Sequence, residues 1–438
     1  MTTLGHEGDP TASRARPPVP DPSRSPSSSP GSVATTPRVL GLDGMRGLGA
    51  LSVILYHVVD STWDARAIGV AYSLSRALSD AITVFFALSG FLIMLPFLLA
   101  AAQSVPLQSI GRYYRTRAMR IFPGYLVIFL VVNFVLGAAN VQNVRNPDFA
   151  VGTITDPATL LANLTLTQSI FPATLSTGIL PAWSLTTELG FYLVVPLLAL
   201  GVVRFMRRRG PRLLVLFAPG ALFVLIGTIT RAGIAIGHLS VEGADLADLN
   251  WGSNWFAVLM RSTLAQADAF GYGMLAAATI AAIMSGKLRA PRRRTSVILC
   301  GAIAVLIAAS LVAMKADIPA VSPICIGLGT AIVMYLCAVE TITHRAADNP
   351  LIRTLEQPVV RYLGSISMSL YLWHMPILQW LAGLGLIVDS YPSLLLVLGM
   401  TIGITVTLSV ITYHLVEKPA LELGRGGRRP RRRRRSLS

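Results

Sequence analysis

The residues of this sequence that are suited to chemistry lie inside apolar segments. In the segment that begins at Leu42, Arg46 and His57 are 11 positions apart. A helix turns about 100° per residue, so this spacing predicts that both side chains share one face, roughly 16 Å apart along the axis. A neutral imidazole accepts a proton near neutral pH, which suits His57 to general-base catalysis. The alternative is a histidine at a helix end that only meets interfacial water.

Four arginines begin another apolar segment, at Arg112, Arg115, Arg117 and Arg120. Arg117 and Arg120 are three positions apart and are predicted to share a helix face. Guanidinium groups bind phosphates through paired hydrogen bonds, so the pattern indicates a phosphate-bearing ligand. The alternative is anchoring at the inner membrane surface, which fits Arg112 and Arg115 better than Arg120, because Arg120 enters the apolar run.

A third apolar segment carries a polar stripe. Ser184, Glu188 and Tyr192 follow one another at intervals of four residues, so they are predicted to face the interior of a helical bundle. The alternative role for such a stripe is hydrogen bonding that only holds helices together. A carboxylate at membrane depth is costly, so a functional role is favoured for Glu188, in orienting His57 or a bound substrate.

A fourth apolar segment places Ser367, Tyr371 and His374 on one predicted helix face. His374 comes two positions before Pro376, where a helix is expected to kink and free backbone groups. His374 therefore has two candidate roles, in catalysis or in satisfying a freed carbonyl. Tyr371 and His374 are candidates to bind an acceptor or to polarise a carbonyl.

Two other ionisable residues stand in apolar surroundings. Asp268 lies inside a predicted helix, whereas Arg231 lies close to a helix end, where a long side chain can reach water, and it is assigned no role. No His, Cys, Asp and Glu cluster has metal-ligand spacing, and no phosphate-binding loop or dinucleotide fingerprint follows a strand. No metal site and no tightly bound cofactor are therefore predicted.

The composition places these residues in a membrane protein. The chain has 438 residues, of which 53% are hydrophobic and 13% are charged, whereas soluble domains average about 25% charged residues. A soluble enzyme, a disordered protein and a nucleic-acid-binding domain are excluded as the main body. The net charge of +16 lies in loops and tails. We predict an all-α, polytopic membrane bundle, in contact with lipids and not with nucleic acid.

Ten membrane helices are predicted from apolar runs near the ~20 residues that span the hydrocarbon. Basic residues concentrate in every second loop, which predicts that both termini are cytoplasmic. The predicted helices cover 43–60, 80–101, 119–138, 182–203, 213–236, 256–284, 296–314, 319–340, 362–385 and 393–416.

Three regions divide the chain. Residues 1–38 form a tail rich in Pro and Ser that cannot bury a core and is predicted to be disordered. Residues 39–419 form the transmembrane domain. Residues 420–438 form an arginine-rich cytoplasmic tail, predicted to anchor the topology and contact anionic lipid, with a specific partner as the alternative.

The ordered set of motifs resembles the membrane acyltransferase 3 family of bacterial O-acyltransferases, from about Leu42 to Pro419. The shared motifs are Leu42-Asp43-Gly44-x-Arg46 with His57, Phe85-Phe86-x-x-Ser89-Gly90-Phe91, Arg117-x-x-Arg120-Ile-Phe-Pro123-x-Tyr125, Trp183-Ser184-x-x-x-Glu188-x-x-Phe191-Tyr192, Gly364-x-x-Ser367-x-Ser369-x-Tyr371-x-Trp373-His374-x-Pro376 and Glu417-Lys418-Pro419.

The resemblance implies transfer of an acyl group, often acetyl, from acyl-CoA to a hydroxyl of a sugar, glycolipid, cell-envelope polysaccharide or natural product. It implies that His57 is the catalytic histidine, and that Arg46, Arg117 and Arg120 bind the donor. Glu188 and His374 are added as catalytic candidates from their predicted burial. The remaining motif positions of interest are Asp43, Ser89, Trp183, Tyr192 and Tyr371.

The chain departs from the family at one position. Relatives often have Asp two residues before the Phe-Phe pair, where this sequence has Thr83. Asp80 is one turn earlier and is expected to reach a similar place.

Two alternatives to an acyltransferase are a transporter and an inactive relative. A transporter would show inverted repeats and paired broken helices, and an inactive relative would not retain this set of polar residues.

Overall fold

The computed structural model describes residues 37–62, 70–141, 151–210, 212–240, 246–316, 321–388 and 390–426. Most of the two predicted tails, 1–36 and 427–438, lies outside these residues. The described chain is helical, with a single antiparallel pair of short strands, β1 (Ala139–Asn140) and β2 (Val151–Gly152). The prediction of an all-α fold is confirmed.

Seventeen α-helices occur in the described chain. In order they are α1 (Leu42–Thr62), α2 (Val70–Ser79), α3 (Ala81–Gln103), α4 (Ile110–Leu130), α5 (Pro157–Leu164), α6 (Trp183–Arg209), α7 (Leu213–Ser240), α8 (Leu246–Trp251), α9 (Trp255–Met260), α10 (Ala267–Met284), α11 (Arg293–Lys315), α12 (Ser322–Ile342), α13 (Pro350–Leu355), α14 (Pro358–Ser365), α15 (Ser367–Gly383), α16 (Tyr391–Thr412) and α17 (Lys418–Gly424). A π-helix extends α4 over Val131–Val135, and another, Tyr413–Glu417, joins α16 to α17.

Eight helical segments of the described chain are long and apolar enough to cross a membrane, which makes this a multi-pass membrane protein. They are Leu74–Gln103, Ile110–Val135, Leu180–Arg209, Leu213–Gly237, Ala267–Met284, Arg294–Lys315, Ser322–Ile342 and Pro392–Gly424. The other two predicted membrane helices correspond to α1, which carries several charged residues, and α15, which has 17 residues.

The predicted helix 256–284 is wrong as a single element, because the structure breaks it between α9 and α10. Arg261 lies at the break and is buried. Its Nη1 donates to the carbonyls of Asn250, at 2.6 Å, and Ala257, at 3.0 Å, and its guanidinium lies 3.8 Å from the ring centroid of Trp251. Two short helices thus supply the carbonyls and the aromatic face that a buried guanidinium requires.

The predicted helix 362–385 is also divided, into α14 and α15, at Ile366. A close crossing with α1 lies beside the division. A Cβ atom at Gly364 would lie 1.8 Å from the carbonyl oxygen of Asp43, so only glycine fits there. This crossing brings the start of α15 to the N-terminal half of α1.

α10 packs between α3 and α7, with glycines at both interfaces. A Cβ atom at Gly273 would lie 1.9 Å from the carbonyl oxygen of Ala87, and one at Gly90 would lie 2.1 Å from that of Phe270. Small residues let helix backbones approach closely where lipid provides no hydrophobic drive for association. The α3–α10 pair therefore forms a rigid wall behind the residues described below.

Arg231 has a structural role, contrary to the prediction that it has none. Its Nε donates to Asp268 at 2.9 Å, and its Nη2 donates to the Gln266 side chain at 3.0 Å. Asp268 is buried at the start of α10, so an unpaired carboxylate there would be costly. The ion pair joins α7 to α10.

The described part of the predicted outer loop 139–181 is tied to α4 and its π-helical extension. The Asn133 side chain accepts from the backbone amide of Ile154 at 2.7 Å and donates to its carbonyl at 3.2 Å. Tyr125 donates to the carbonyl of Asn163 at 2.8 Å. These bonds hold the loop against the bundle.

Candidate active site

One cavity inside the bundle collects most of the polar residues that the sequence singles out. Its walls come from α1, α3, α4, α6 and α15, and its charged members are Arg46, Arg117, Arg120 and Glu188. The complete lining is Arg46, Ile82, Phe85, Phe86, Ser89, Leu92, Ile93, Arg117, Arg120, Ile121, Ser184, Leu185, Glu188, Tyr192, Ser367, Met368 and Tyr371.

The three cavity arginines come from two helices. Arg117 and Arg120 reach the cavity from one face of α4, and Arg46 reaches it from α1, with its Nη1 3.5 Å from a carboxylate oxygen of Asp43. The Arg117 guanidinium lies 5.6 Å from the ring centroid of Tyr192. Its buried Nε has no hydrogen-bond partner among the described residues. The cavity therefore holds more positive charge and more donors than its own groups satisfy, which suits an anionic ligand.

Glu188 is the negative member of the cavity. The Ser89 hydroxyl on α3 and the Tyr192 hydroxyl on α6 both donate to the same carboxylate oxygen, Oε1, at 2.5 Å each. These two hydroxyls, and not His57, are the hydrogen-bond partners of Glu188 among the described residues, and a role towards the acceptor stays a prediction. Ser184 and Tyr192 join Glu188 in the lining, so the stripe on α6 faces the interior.

Tyr371 separates the cavity from a pair of histidines. Its ring lines the cavity and lies 5.7 Å, between centroids, from the ring of His374, which in turn lies 5.0 Å from that of His57. The Tyr371 hydroxyl donates to the carbonyl of Pro181 at 3.1 Å, which joins α15 to the start of α6. The two histidines therefore lie behind Tyr371 and are not among the residues that line the cavity.

The tautomer of His57 follows from its backbone contact. Nδ1 lies 2.9 Å from the carbonyl oxygen of Val53, one turn earlier on α1. A carbonyl oxygen only accepts hydrogen bonds, so Nδ1 carries the proton and Nε2 keeps its lone pair. His57 thus offers a basic nitrogen in a fixed ring orientation.

His374 is fully buried, and neither of its ring nitrogens has a hydrogen-bond partner among the described residues. A buried imidazole without partners is costly, and the cost falls when a ligand hydroxyl or water bonds to it.

Five motif positions were named without a catalytic or donor-binding role, and two of them, Asp43 and Trp183, lie outside the cavity lining. Asp43 lies between Arg46, at 3.5 Å, and Arg38, at 3.6 Å. Trp183 packs against Phe86, with ring centroids 6.1 Å apart. These residues support the walls of the cavity.

Asp80 and Thr83 face α12 and are not among the residues that line the cavity. Asp80 accepts a hydrogen bond from Ser322, and Thr83 is buried beside Gly327. Asp80 therefore lies on the same side of α3 as the position where relatives often have Asp, and this side points away from the cavity.

Sequence reasoning did not predict one buried contact, between Ser369 and Glu417. Glu417, on the π-helix Tyr413–Glu417, is buried and accepts a hydrogen bond from Ser369 of α15. A Cβ atom at Gly124 would lie 3.0 Å from Cγ of Glu417, so the carboxylate also lies against α4. The sequence signal that could have identified Glu417 as a buried residue is its position as a carboxylate at the end of an apolar run.

Among the described residues, no group of three or more His, Cys, Asp and Glu side chains is placed to hold a metal ion.

A family model and one relative each match most of the chain. The family model Acyl_transf_3, described as an acyltransferase domain, matches residues 39–414. The peptidoglycan O-acetyltransferase OatA of Listeria monocytogenes is 24% identical over 348 residues, which cover 78% of this chain and 49% of that protein. The acyltransferase MdmB of Streptomyces mycarofaciens is 32% identical over 164 residues, 36% of this chain and 39% of that protein.

An uncharacterised protein of Haemophilus influenzae is 28% identical over 148 residues, 33% of this chain and 58% of that protein. The matches to these three relatives span between about two fifths and three fifths of the relatives' own lengths. No solved structure matches the chain with significance.

Proposed function

We propose that this chain, which belongs to the acyltransferase 3 family, transfers an acyl group from acyl-CoA to a hydroxyl group of a sugar, a lipid or a natural product. One observation carries the proposal. Three guanidinium groups, Arg46, Arg117 and Arg120, converge on a cavity inside the bundle, and the His57–His374 pair lies directly behind Tyr371 in the wall of that cavity. A phosphate-bearing donor in the cavity and a base for a hydroxyl acceptor would thus lie on the two sides of Tyr371, and its ring would have to move aside for them to meet.

The arginines would bind the phosphates of CoA. Guanidinium groups pair with phosphate oxygens in a planar, two-pronged geometry. The apolar side chains of Ile82, Phe85 and Leu185 line the same cavity and would surround the acyl chain and the pantetheine arm. This arrangement would direct the thioester away from the charged end.

His57 would act as the general base. Its Nε2 takes the proton of the acceptor hydroxyl while the oxygen attacks the thioester carbonyl carbon. The tetrahedral intermediate then expels the CoA thiolate, which takes the proton back from the imidazolium of His57. The products are an ester and CoA with a free thiol, so the reaction needs no metal and no redox partner.

Three neighbours would support this step. His374, whose ring nitrogens have no hydrogen-bond partner within the described part of the chain, lies beside His57 and would hold the acceptor hydroxyl. Tyr371 would position the His374 ring, because its own O–H is donated to Pro181. Glu188, held by Ser89 and Tyr192, would balance part of the arginine charge in the cavity.

The ten-helix topology with both termini in the cytoplasm of a bacterial inner membrane is part of the proposal. Under that topology the N-terminal ends of α1 and α4, which carry Arg46 and Arg117, lie at the cytoplasmic side, where acyl-CoA is available. The outer loop would then lie on the acceptor side.

The names of the relatives suggest classes of acceptor to test. OatA is named for peptidoglycan, and its match covers 78% of this chain. Envelope sugars are therefore the first class of acceptor to test. Secreted natural products are the second, because the family resemblance includes such acceptors.

The decisive experiment uses the purified protein in lipid nanodiscs with acetyl-CoA and longer acyl-CoA donors. Release of the CoA thiol is followed with and without candidate acceptors, and products are identified by mass spectrometry. Mass spectrometry of envelope glycans, lipids and secreted metabolites from a deletion strain runs in parallel. Unchanged acylation in that strain, together with no saturable binding of acyl-CoA to the purified protein, would overturn the proposal.

A further inference from the structure

A groove rich in arginine lies where the start of α4 meets the end of α17. It is separate from the cavity and is lined by Ser109, Gly111, Arg112, Arg115, Gly424, Arg425 and Gly426. Its side chains were expected to act mainly as topology anchors. The structure places two of them in defined positions, which an anchor does not require.

Backbone carbonyls at the end of α17 hold both guanidinium groups. Arg112 donates through Nη2 to the carbonyl of Arg425 at 3.3 Å, and Arg115 donates through Nη2 to that of Leu423 at 3.2 Å. The helices are tightly packed here, because a Cβ atom at Gly424 would lie 3.0 Å from Cβ of Met119. The two arginines are therefore pre-positioned by the fold.

Most hydrogen-bond donors in the groove remain free for a ligand. A guanidinium has five N–H donors, and each of these two arginines uses one in a hydrogen bond within the described chain. Among the described residues, no carboxylate forms an ion pair with Arg112, Arg115 or Arg425. The groove thus presents positive charge without a counter-ion.

The groove and the cavity use two arginine pairs on the same helix. Arg112 and Arg115 repeat the three-residue spacing of Arg117 and Arg120, and the two pairs are five residues apart. That offset is roughly 7.5 Å along the axis of α4. The groove pair lies nearer the start of the helix, and the two pairs point to different sides of α4.

We propose that this groove binds the 3′-phosphate of the CoA donor, an inference that rests on the proposed function. In CoA the 3′-phosphate is attached to the ribose, beyond the diphosphate as seen from the thioester. In the proposed binding mode the thioester lies towards the histidines, the diphosphate lies at the cavity arginines, and the 3′-phosphate lies at the groove pair, which comes nearer the start of α4 than the cavity pair. A phosphate monoester is largely dianionic at neutral pH, which suits two guanidinium groups.

A phospholipid headgroup shares the phosphate chemistry but makes a weaker match. A simple phospholipid carries one phosphate diester and would occupy one pair of arginines. A ligand with phosphates at two positions explains two pairs on one helix. The two sources are separated experimentally by removing the 3′-phosphate from the donor.

The experiment compares acetyl-CoA with acetyl-dephospho-CoA in the full-length protein in nanodiscs. Wild-type protein is expected to show a KM about tenfold or more higher for the dephospho donor, the effect of losing one charged hydrogen-bond partner. The double variant Arg112→Gln/Arg115→Gln is expected to show nearly equal KM values for the two donors. Its kcat is expected to stay close to that of the wild type.

Arg208→Gln, which removes an exposed arginine at the end of α6, is the matched control and is expected to keep the wild-type discrimination. Thermal unfolding of each variant checks folding. Equal KM values for both donors in wild-type protein, with normal transfer, would overturn the groove assignment and leave the proposed function intact. Absence of any acyl transfer from either donor would overturn the proposed function itself.

Lipid composition provides the last arm. The assays are repeated in nanodiscs of zwitterionic lipid alone and with anionic phospholipid. A discrimination between donors that persists in zwitterionic lipid supports the proposal. If the double variant loses activity equally with both donors, and only in anionic lipid, the groove is a headgroup site and the proposal is wrong.

Discussion

His57 shows how a single backbone contact defines a chemical role. Because Nδ1 is engaged with the carbonyl of Val53, Nε2 is the nitrogen available as a base. His57→Gln is expected to lower kcat by about 10²–10⁴-fold, since an amide forms hydrogen bonds but does not accept the proton. Acyl-CoA binding and melting temperature are expected to stay near the wild-type values. Turnover equal to that of the wild type in nanodiscs would remove His57 from this role.

The cavity arginines are predicted to act through geometry as well as charge. Arg117→Ala and Arg120→Ala are each expected to raise the KM for acyl-CoA by roughly tenfold to 150-fold, from the loss of about 1.5–3 kcal/mol. Lysine at either position is expected to restore little, because an ammonium lacks the planar fork of a guanidinium. Arg204→Lys on α6 serves as the control. Full rescue by lysine would show that charge alone is needed.

At the scale of elements, α10 depends on glycine to reach α3. Gly273→Ala would place a methyl group 1.9 Å from the carbonyl oxygen of Ala87, so the helices must separate. Overpacking of this kind typically costs about 1–3 kcal/mol and occasionally more. The expected result is a lower melting temperature in detergent and reduced activity, because α3 carries Ser89 and the apolar wall of the cavity.

A matched helical glycine tests whether the clash is the cause. Gly301 on α11 has no atom within 4 Å of an added Cβ. Gly301→Ala is expected to leave the melting temperature unchanged or raise it slightly, since alanine favours the helix. An equal loss of stability in both variants would show that the α3–α10 contact is not as close as described.

The elements themselves could largely be predicted, whereas their interruptions could not. Apolar length is a local property, and it placed the starts of α3, α6, α7 and α11 within three residues. The break before α10 depends on Arg261 finding carbonyls and an aromatic ring on α8 and α9. Partners of that kind are not visible in an apolar run, so the sequence predicted one continuous helix.

At the scale of the whole molecule, the charge pattern predicts that both termini lie in the cytoplasm. Reporter fusions at residues 145 and 245 are expected to report the outer side, and a fusion after residue 438 the inner side. The physical reason is the excess of arginine in every second loop, which is retained on the cytoplasmic face. A fusion at residue 145 or 245 that reports the cytoplasm would contradict the topology. The donor site would then lie on the outer side of the membrane, away from cytoplasmic acyl-CoA.

The membrane class, the helical fold and the residues suited to chemistry follow from the amino-acid sequence. They do so because lipid forces each spanning segment to be long and apolar, so that a buried Glu or Arg stands out against it. Which of these residues meet depends on how the helices pack. Ser89 and Glu188 are 99 positions apart and bond directly, whereas Glu188 and His57, expected to interact, have different partners. Such pairings depend on how helices cross and rotate against one another. The crossings are set by close contacts between two helices, such as Gly273 against Ala87, and these contacts cannot be predicted from the sequence of either helix alone.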